Sequence, residues 1–439
     1  MRYRATVGAA AAIAMLIAPA LPFGSIPAAD ARSGGIVIQS HRIKTPPQVK
    51  SAPVDNVRDF GAVGNGIIDD TNAIQNAAND AAAHGKAVFF PGGIYLHASP
   101  ITFNSVPVIG SGGASILVAN NVNACSVILT GTGVSMQNMV VSTQSLVGTL
   151  GASIPPANLI VQTATNFTVA HNTFVQGSNM CGVLVQTGTV GTISSNVCDG
   201  TGSPEDLGVI ITQGANITVA NNLIQNTSLG IAVIPVSAAT PGGAFFIGIV
   251  SNTIGNVTWP TRQVGIGVVA TTVVDIAQNT IQMADQTSPM STPVLVQASD
   301  DFQVVGNNTW GGSVGVELQA SGPSGNRVTQ NAIHNCGGSA IDIQNVAAGS
   351  GSPWTSFVQA SSNAFGECGL TTPAAVINIA GLVSGGDASG ATTFVQNNAY
   401  QGHLNLLTFL VQCSFTAPHI AASNVTGNTQ SQTALANHI

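Results

Sequence analysis

The segments TVAHNTF (168–174), TISSNVC (192–198), TVANNLI (218–224) and GIVSNTI (248–254) share one pattern. Each has an apolar residue, two variable residues, Asn, one variable residue and then an apolar or aromatic residue. A period of 23 to 35 residues between successive Asn is typical of a solenoid in which each repeat is one coil and insertions map to loops. The complete series of motif asparagines is Asn138, Asn172, Asn196, Asn222, Asn252, Asn279, Asn308, Asn331, Asn363 and Asn398.

Stacking of identical coils explains why the Asn recurs. Asparagine amides can hydrogen-bond from one coil to the next and form a ladder at a bend. The residue two positions after each Asn is then predicted to point into the core. This column reads Phe174, Cys198, Ile224, Ile254, Ile281, Trp310, Ile333, Phe365 and Tyr400.

A second short strand follows most of the Asn motifs. Two or three strands per turn, with apolar residues pointing inward and polar residues outward, are what a parallel β-coil needs to bury its centre. The pattern therefore predicts a parallel β-helix of about ten coils. The second strands are GVLVQ (182–186), GVIIT (208–212), GIAVI (230–234), GIGVV (265–269), PVLVQ (293–297), GVELQ (315–319), AIDIQ (340–344) and VINIA (376–380).

Composition supports an all-β chain and excludes some partners. Only 6% of residues are charged and 50 are Gly, which fits many short strands joined by tight turns. An outer-membrane barrel would also alternate polar and apolar residues, but it needs aromatic girdles and only 5% of this chain is aromatic. Residues 32–439 contain eight Lys and Arg residues and sixteen Asp and Glu residues. No basic surface exists for phosphates, so nucleic acid is not an expected partner.

The first residues predict export. MRYR (1–4) forms a basic start, residues 9–23 an apolar core, and Ala29-Asp30-Ala31 a cleavage site of the A-x-A kind. The apolar core is shorter than the ~20 residues that a membrane span needs. We therefore expect a signal peptide over 1–31, a mature chain without a membrane span, and a secreted, periplasmic or cell-surface location.

Residues 69–84 (DDTNAIQNAANDAAAH) predict a helix. Asp69 or Asp70 can cap its start, Gly85 can end it, and its apolar face consists of Ala73, Ile74, Ala77, Ala78 and Ala81. Because a solenoid exposes strand edges at its ends, we expect this helix to lie across the first coil. The predicted division is an extended segment over 32–56, the β-helix over 57–413 and a poorly ordered tail over 414–439.

The segments VRDFGAVGNGIIDDTNAIQNAAN (57–79), KAVFFPGGIYL (86–96) and VIGSGGASIL (108–117) resemble the opening of the pectate-lyase-like superfamily. Polygalacturonase-type hydrolases, rhamnogalacturonases and phage tailspikes share this opening, and the repeats extend a looser resemblance to about residue 400. The resemblance implies a right-handed parallel β-helix that acts on a polysaccharide. The opening is a fold signature, so Asp59, Asp69 and Asp70 are interpreted as turn and cap residues.

The catalytic motifs of the individual families are absent from the sequence. There is no NTD…DD…GHG…RIK series as in polygalacturonases, no DPHD as in mannuronan epimerases and no paired-Arg motif as in pectate lyases. The resemblance therefore does not carry a specific reaction over to this chain.

In the resembled fold, substrate lies along the sheet formed by the strand after the Asn motif. The outward residues of those strands here run Leu184, Ile210, Ala232, Gly267, Leu295, Glu317, Asp342 and Asn378. Glu317 and Asp342 fall on adjacent coils, ~4.8 Å apart, which approaches the ~5 Å carboxyl separation of retaining glycosidases. We predict that they act as acid and base. The alternative interpretation is two solvated strand residues beside a row of Gln297, Gln319 and Gln344.

The loops flanking those strands add candidate substrate-binding residues. Trp259 could stack on a sugar ring, and Arg262 is the best candidate to stabilise the carboxylate of an anionic glycan. Asp285 and His334 complete this set, with His334 expected beside Asp342.

Metal binding and cysteine pairing are two further expectations. Asp199, Glu205 and Asp206 could bind Ca²⁺ through hard oxygen ligands, although turn-forming acids are commoner, and no other cofactor is expected. Cys336 and Cys368 each lie five residues past a ladder Asn on adjacent coils. Their Cα atoms should lie ~5 Å apart, so a disulfide or a contact is predicted.

Three classes of function fit these observations. A polysaccharide hydrolase, lyase or epimerase is favoured by the Glu317 and Asp342 stack. A non-catalytic glycan-binding or adhesive solenoid is favoured by the missing motifs. A tailspike-derived depolymerase fits the resemblance, but the signal peptide argues against it.

Overall fold

The chain folds as a right-handed parallel β-helix, in agreement with the sequence. Each complete coil contributes three parallel strands, and strands of successive coils pair in register to form three faces. The computed structural model describes residues 53–121, 127–148, 156–203, 205–234, 244–257, 263–283, 291–319, 325–345, 358–366, 368, 377–381, 393–396, 398–401, 411–415, 424–426 and 429–431.

Face 1 contains the strands that follow the Asn motifs. It consists of residues 157–161 of β11 (Ala157–Ala170), residues 181–185 of β13 (Cys181–Ser194), and β5 (Ile101–Asn104), β8 (Val127–Thr132), β15 (Leu207–Ile211), β18 (Leu229–Val233), β21 (Gln263–Val269), β24 (Ser291–Gln297), β27 (Val316–Gln319), β30 (Ile341–Asn345), β33 (Ile377–Gly381) and β36 (Val411–Phe415).

Face 2 follows face 1 in each coil and leads into the Asn motif. It consists of the second halves of β11 and β13, and β1 (Val54–Asn56), β3 (Ala87–Phe90), β6 (Pro107–Gly110), β9 (Ser135–Gln137), β16 (Gly214–Ala220), β19 (Ala244–Val250), β22 (Thr272–Ala277), β25 (Asp300–Val305), β28 (Asn326–Thr329), β31 (Val358–Ser361), β34 (Thr393–Gln396) and β37 (Asn424–Thr426).

Face 3 begins directly after the motif Asn, and 14 of its strands lie within the described ranges. The motif predicted about ten coils because the first three of these strands lack it and the last has Gln430 at its apolar position. The strands are β2 (Asn65–Asp69), β4 (Gly93–His97), β7 (Ser115–Ala119), β10 (Val140–Ser142), β12 (Thr173–Val175), β14 (Val197–Asp199), β17 (Leu223–Gln225), β20 (Thr253–Val257), β23 (Thr280–Met283), β26 (Asn308–Trp310), β29 (Ala332–His334), β32 (Ala364–Gly366), β35 (Ala399–Gln401) and β38 (Thr429–Ser431).

The asparagine ladder is present at the corner between faces 2 and 3. Asn222 shows the pattern: its Nδ2 donates to Asn252 Oδ1 at 2.9 Å and to the Ile193 carbonyl oxygen at 2.9 Å. Its Oδ1 accepts from the backbone and side-chain nitrogens of Asn196 at 2.9 and 3.0 Å. The amide is therefore fully hydrogen-bonded although it is buried. The ladder runs through Asn172, Asn196, Asn222, Asn252, Asn279, Asn307, Asn331, Asn363 and Asn398.

Two positions assigned to the ladder from the sequence are wrong. Asn138 lies one residue early, because Met139 occupies the ladder position and donates its backbone N–H to Asn172 Oδ1. Asn308 lies one residue late, because Asn307 makes the ladder bonds. The double Asn at 307–308 made the register ambiguous in sequence.

The same one-residue shift corrects the inward column of face 3. Thr309, not Trp310, is the partner of Ile281 and Ile333, and it is completely buried. Trp310 therefore points outward. The inward positions from Phe174 to Phe365 are otherwise buried, as predicted.

A left-handed residue precedes each ladder Asn from Asn172 to Asn363 and makes the corner sharp. These residues have φ between 55° and 65°, and most of them are not glycine: His171, Ser195, Asn221, Ser251, Gln278, Gly306, Gln330 and Ser362. A non-glycine residue in this region costs roughly 1–2 kcal/mol. The side-chain and backbone bonds of the ladder offset that strain.

Glycine recurs where face 1 begins because the coil is narrow there. A Cβ on Gly208 would lie 2.3 Å from the Gly230 carbonyl oxygen and 2.5 Å from Ile224 Cγ2 of face 3. A side chain at this position would therefore collide with both the next coil and the opposite face.

The predicted helix is α1 (Thr71–His84), and short 3-10 helices span Val57–Phe60 and Gly112–Ala114. Ile74, Ala77, Ala78 and Ala81 are buried, and α1 packs against β1, β3 and β5. Gly85 ends the helix with φ 65°. No helix among the described residues is both long and apolar enough to cross a membrane.

The acids around the start of α1 make turn contacts, as interpreted. Asp69 Oδ1 accepts from the Thr71 backbone nitrogen at 3.0 Å. The Asp70 carboxylate instead accepts from the backbone nitrogens of Val63 and Gly64, at 2.7 and 3.0 Å.

Both ends of the repeat extend beyond the predicted limits. Val54–Asn56 pairs with β3, although residues 32–56 were assigned to an extended segment. At the other end, β37 and β38 pair with β34 and β35, although 414–439 was assigned to a tail. Residues 425–430 (VTGNTQ) keep the Asn of the motif but have Gln where an apolar residue was required.

The predicted disulfide is present. Cys336 and Cys368 are bonded, with their Cα atoms 4.5 Å apart, and join two successive coils. Cys181 and Cys198 are free and buried, and burial raises the pKa of both thiols, that of Cys198 to about 12.

Candidate functional site

The outward column of face 1 has the predicted register. Leu295 pairs with Glu317, Glu317 with Asp342, and Asp342 with Asn378. The two carboxylates are thus direct neighbours across parallel strands, whose spacing is ~4.8 Å. This confirms the adjacency of Glu317 and Asp342 that the sequence predicted.

Both carboxylates are buried, which contradicts the alternative interpretation that they are solvated strand residues. Glu317 is 3% exposed and Asp342 is 9% exposed. The outward residues of the preceding coils are also buried and form an apolar cluster outside face 1, separate from the central core: Leu184, Ile210, Ala232 and Leu295, with Ala157, Cys181, Ile234, Val264 and Val269. The carboxylate pair therefore lies at the end of an apolar strip.

Hydroxyl and amide donors surround Glu317. Thr292 Oγ1 donates to Glu317 Oε2 at 3.3 Å, and Gln319 Nε2 donates to Glu317 Oε1. Both oxygens of the carboxylate thus accept a hydrogen bond, as buried acceptors in proteins usually do.

Two amides hold Asp342. Gln344 Nε2 donates to Oδ2 at 2.8 Å, and Asn378 Nδ2 donates to Oδ1 at 2.9 Å. Burial raises the pKa of Asp342, and these two hydrogen bonds oppose that effect only in part. A carboxyl whose pKa is raised in a low-dielectric site is suited to donate a proton.

The glutamine row lies beside the carboxylates, as the sequence predicted. Gln297 pairs with Gln319, and Gln319 with Gln344. Gln319 and Gln344 each donate to the acid two residues before them. Within the described residues, the buried Oε1 of Gln297 has no hydrogen-bond partner.

His334 does not lie beside Asp342, which corrects the prediction. It is on the outer side of face 3, whereas Asp342 is on face 1, and residues 335–340 connect the two. Its ring stacks on Trp310 with centroids 5.3 Å apart and 24° between the planes. Burial lowers the pKa of His334. The error arose because the corner between β29 and β30 separates residues that are close in sequence.

Three other candidate substrate-binding residues, Trp259, Arg262 and Asp285, lie outside the described residues. Arg327, the other arginine after Lys86, lies on face 2, where it pairs with Gln303. It does not belong to the outward column of face 1.

The three acids proposed for calcium have protein partners. Asp206 is completely buried and accepts from the Asn179, Thr201 and Ser203 backbone nitrogens at 2.7, 2.7 and 2.9 Å. Asp199 accepts from Asn226 Nδ2 at 2.8 Å. Across the described ranges, no three His, Cys, Asp or Glu residues are grouped so that they could hold a metal. Asp206 therefore fixes the turn before β15, and calcium binding with Glu205 stays a prediction.

The sequence reasoning missed the roles of two residues. Thr292 lies one coil before Glu317, next to a proline, and only the register shows that it reaches the carboxylate. Trp310 was assigned to the core because of the double Asn before it. A count that aligned Gly306 with the left-handed positions of the other coils would have placed Trp310 outside.

Three parallel faces, an internal asparagine ladder and the opening around α1 define a pectate-lyase-like β-helix protein. A family model described as rhamnogalacturonase A/epimerase, pectate lyase-like, matches residues 54–281, which is more than half of the 439 residues. The chain therefore belongs to this family. A search of curated protein sequences found no match.

Solved structures share the fold at low sequence identity. The A-module of mannuronan C-5 epimerase AlgE6 from Azotobacter vinelandii has a TM-score of 0.55 and 17% identity, over 86% of this chain and 100% of its own. The Pseudomonas phage phi297 tailspike gp61 has a TM-score of 0.57 and 12% identity, over 86% and 80%. The Dettilon tailspike gp208 has a TM-score of 0.52 and 13% identity, over 86% and 66%. These similarities show the fold alone.

Proposed function

We propose that the protein is an exported polysaccharide-active enzyme that cleaves or modifies a glycan at Glu317 and Asp342. One observation carries this proposal: two buried carboxylates are direct neighbours on adjacent strands of face 1. Burying two acids side by side opposes folding, because an ionised carboxylate loses its hydration. Such a costly arrangement is typical of a functional site.

The two carboxylates are suited to different roles. Asp342, whose pKa is raised, is the proton donor to the glycosidic oxygen as the bond to the leaving sugar breaks. Glu317 is the carboxylate that forms a bond to the anomeric carbon. Water then releases the sugar while Asp342 takes the proton of that water. The ~4.8 Å spacing of the strands that carry the two residues is close to the carboxyl separation of retaining enzymes, which supports this course over an inverting one.

The family description and the loop residues singled out in the sequence support one substrate class. The family description names a rhamnogalacturonase and an epimerase, and one structural neighbour is named for mannuronan. A glycan that contains uronic acid fits these names. Arg262 is the proposed partner of its carboxylate, while Trp259 and Asp285 are proposed to contact neighbouring sugars.

Export is supported by the disulfide. A bond between Cys336 and Cys368 persists in oxidising compartments and is rare in the cytosol. Together with the leader-like residues 1–31, it favours secretion or a periplasmic or cell-surface location. N-terminal sequencing of protein from the medium or periplasm should begin near Arg32.

A non-catalytic glycan-binding solenoid is the second candidate. Burial favours it, because Glu317 and Asp342 are each less than a tenth exposed and are held by amides from their own sheet. In that case the pair would organise face 1, and binding would depend on the surrounding loops.

The test is an assay on purified protein against polygalacturonate, rhamnogalacturonan, alginate, xylan and dextran. Reducing-end release without absorbance near 235 nm indicates hydrolysis, and release with that absorbance indicates a lyase. NMR of unfragmented polymer detects epimerisation. Retention on a polymer without any of these changes would support the binder.

A further inference from the structure

One outward column of face 3 carries large aromatic rings in two successive coils. Among the described residues, its positions are occupied by small, polar or aliphatic side chains except at Trp310 and His334. The register places these two next to each other and His334 next to Gly366. The column reads Val175, Asp199, Gln225 and Gly255, and after a register shift between β20 and β23 it continues as Gln282, Trp310, His334 and Gly366.

The two rings form an ordered stack. His334 stacks on one face of the Trp310 indole, and Gln282, the register partner of Trp310 on the preceding coil, is exposed. Gly366 leaves room for the His334 ring, because a Cβ on this residue would lie 2.4 Å from His334 Nδ1. Trp310 and His334 are both only partly buried, so the stack reaches the surface.

The stack belongs to the same two coils as the carboxylate pair. Trp310 lies seven residues before Glu317, and His334 lies eight residues before Asp342. The segments that connect face 3 to face 1 in these two coils are hydrogen-bonded to each other. The Gly311 backbone nitrogen donates to the His334 carbonyl oxygen, and the Gly337 backbone nitrogen donates to the Gly312 carbonyl oxygen, both at 3.0 Å.

The disulfide between Cys336 and Cys368 links the second of these segments, residues 335–340, to the following coil. The position of the stack relative to Glu317 and Asp342 is therefore fixed by the backbone.

We propose that Trp310, supported by His334, is a sugar-stacking subsite that holds a remote pyranose ring of the glycan whose scissile bond lies at Glu317 and Asp342. This inference rests on the proposed function for the identity of the ligand. An indole offers a rigid apolar face with one polar edge, and it suits a ligand that is apolar on one side and hydroxylated around its rim. Gln282 is placed to hydrogen-bond to those hydroxyls.

The subsite is not needed for a short ligand. Trp310 and Glu317 lie on the outer sides of different faces, so a glycan must pass around the corner of residues 311–315 to contact both. A disaccharide cannot do this, whereas a polymer can. Trp310 therefore contributes to polymer affinity and not to the chemical step.

The experiment measures dissociation constants by calorimetry in the E317Q background, so that turnover does not consume the ligand. The probes are polygalacturonate, rhamnogalacturonan, alginate, xylan and dextran, each with its disaccharide. Trp310→Leu should weaken binding of the recognised polymer by about tenfold or more and leave the disaccharide unchanged. Trp310→Phe should retain most of the affinity. Gly366→Ala should weaken it because His334 is displaced.

Phe245→Leu is the matched control, since Phe245 is an exposed aromatic residue on face 2. It should bind every probe like the parent. Unchanged polymer affinity in Trp310→Leu would overturn the proposal, as would binding of none of the polymers. If E317Q retains full turnover while Trp310→Leu still loses polymer affinity, the catalytic proposal fails and the subsite stands.

Discussion

Asn222 Nδ2 donates to Asn252 Oδ1 over 2.9 Å, and both amides are almost completely buried. Replacing Asn222 with Ala removes this donor, the side-chain donor to the Ile193 carbonyl oxygen, and the acceptor of the Asn196 backbone and side-chain nitrogens. We expect a loss of about 1–3 kcal/mol in the free energy of unfolding. Denaturant titration of Asn222→Ala and Asn252→Ala measures it, and unchanged stability in both variants would argue against the ladder.

The register at residues 307–308 gives a sharper comparison. Asn307→Ala should destabilise the protein like Asn222→Ala, because Asn307 bonds to Asn331 and to the Ile276 carbonyl oxygen. Asn308→Ala lies outside the ladder and should have a much smaller effect. Equal losses in the two variants would show that the ladder position is not unique.

The disulfide is expected to stabilise the C-terminal coils. It closes a loop with a sequence separation of 32, and breaking such a bond costs roughly 2–4 kcal/mol. Cys336→Ser with Cys368→Ser should therefore lower the melting temperature. Peptide mapping without reductant should recover the two cysteines in one linked fragment, and recovery of both as free thiols from exported protein would refute the bond.

Asp342 should make stability depend on pH. Its pKa is raised by burial above the unfolded value of about 3.9, so the folded state binds the proton more tightly. This contribution is complete below the unfolded pKa and is lost as pH rises through the folded pKa. The Asp342→Asn variant has no titrating group at this position and does not lose this stability as the pH rises. The free energy of unfolding of the variant, relative to wild type, should therefore increase from about pH 3.5 to about pH 7. A constant difference across this range would contradict a raised pKa.

The repeat made the fold predictable, since apolar alternation and the motif Asn at 172, 196, 222 and 252 recur in successive coils. Errors occurred where the motif degenerates. The pair Asn307 and Asn308 left two registers open, and Gln430 concealed the last coil. Neither ambiguity can be resolved locally, because the neighbouring coil decides which residue turns inward.

The site was predictable only in part, and for a related reason. Counting along face 1 was enough to place Glu317 beside Asp342, because strands in register keep their columns. Burial of that pair and the bond from Thr292 depend on what packs outside the sheet, which the alternation of one strand does not reveal. His334 was misplaced because proximity along the chain ends at a corner.

The proposed chemistry is tested most directly by product release from the polymer that the wild type attacks, measured for Glu317→Gln and Asp342→Asn. Each variant should lose at least ~10²-fold in turnover, the usual scale for a missing general acid or base. Asp301→Asn is the control, since this exposed carboxylate lies on face 2 and should not affect turnover. Full activity in both carboxylate variants would contradict a catalytic role for the pair.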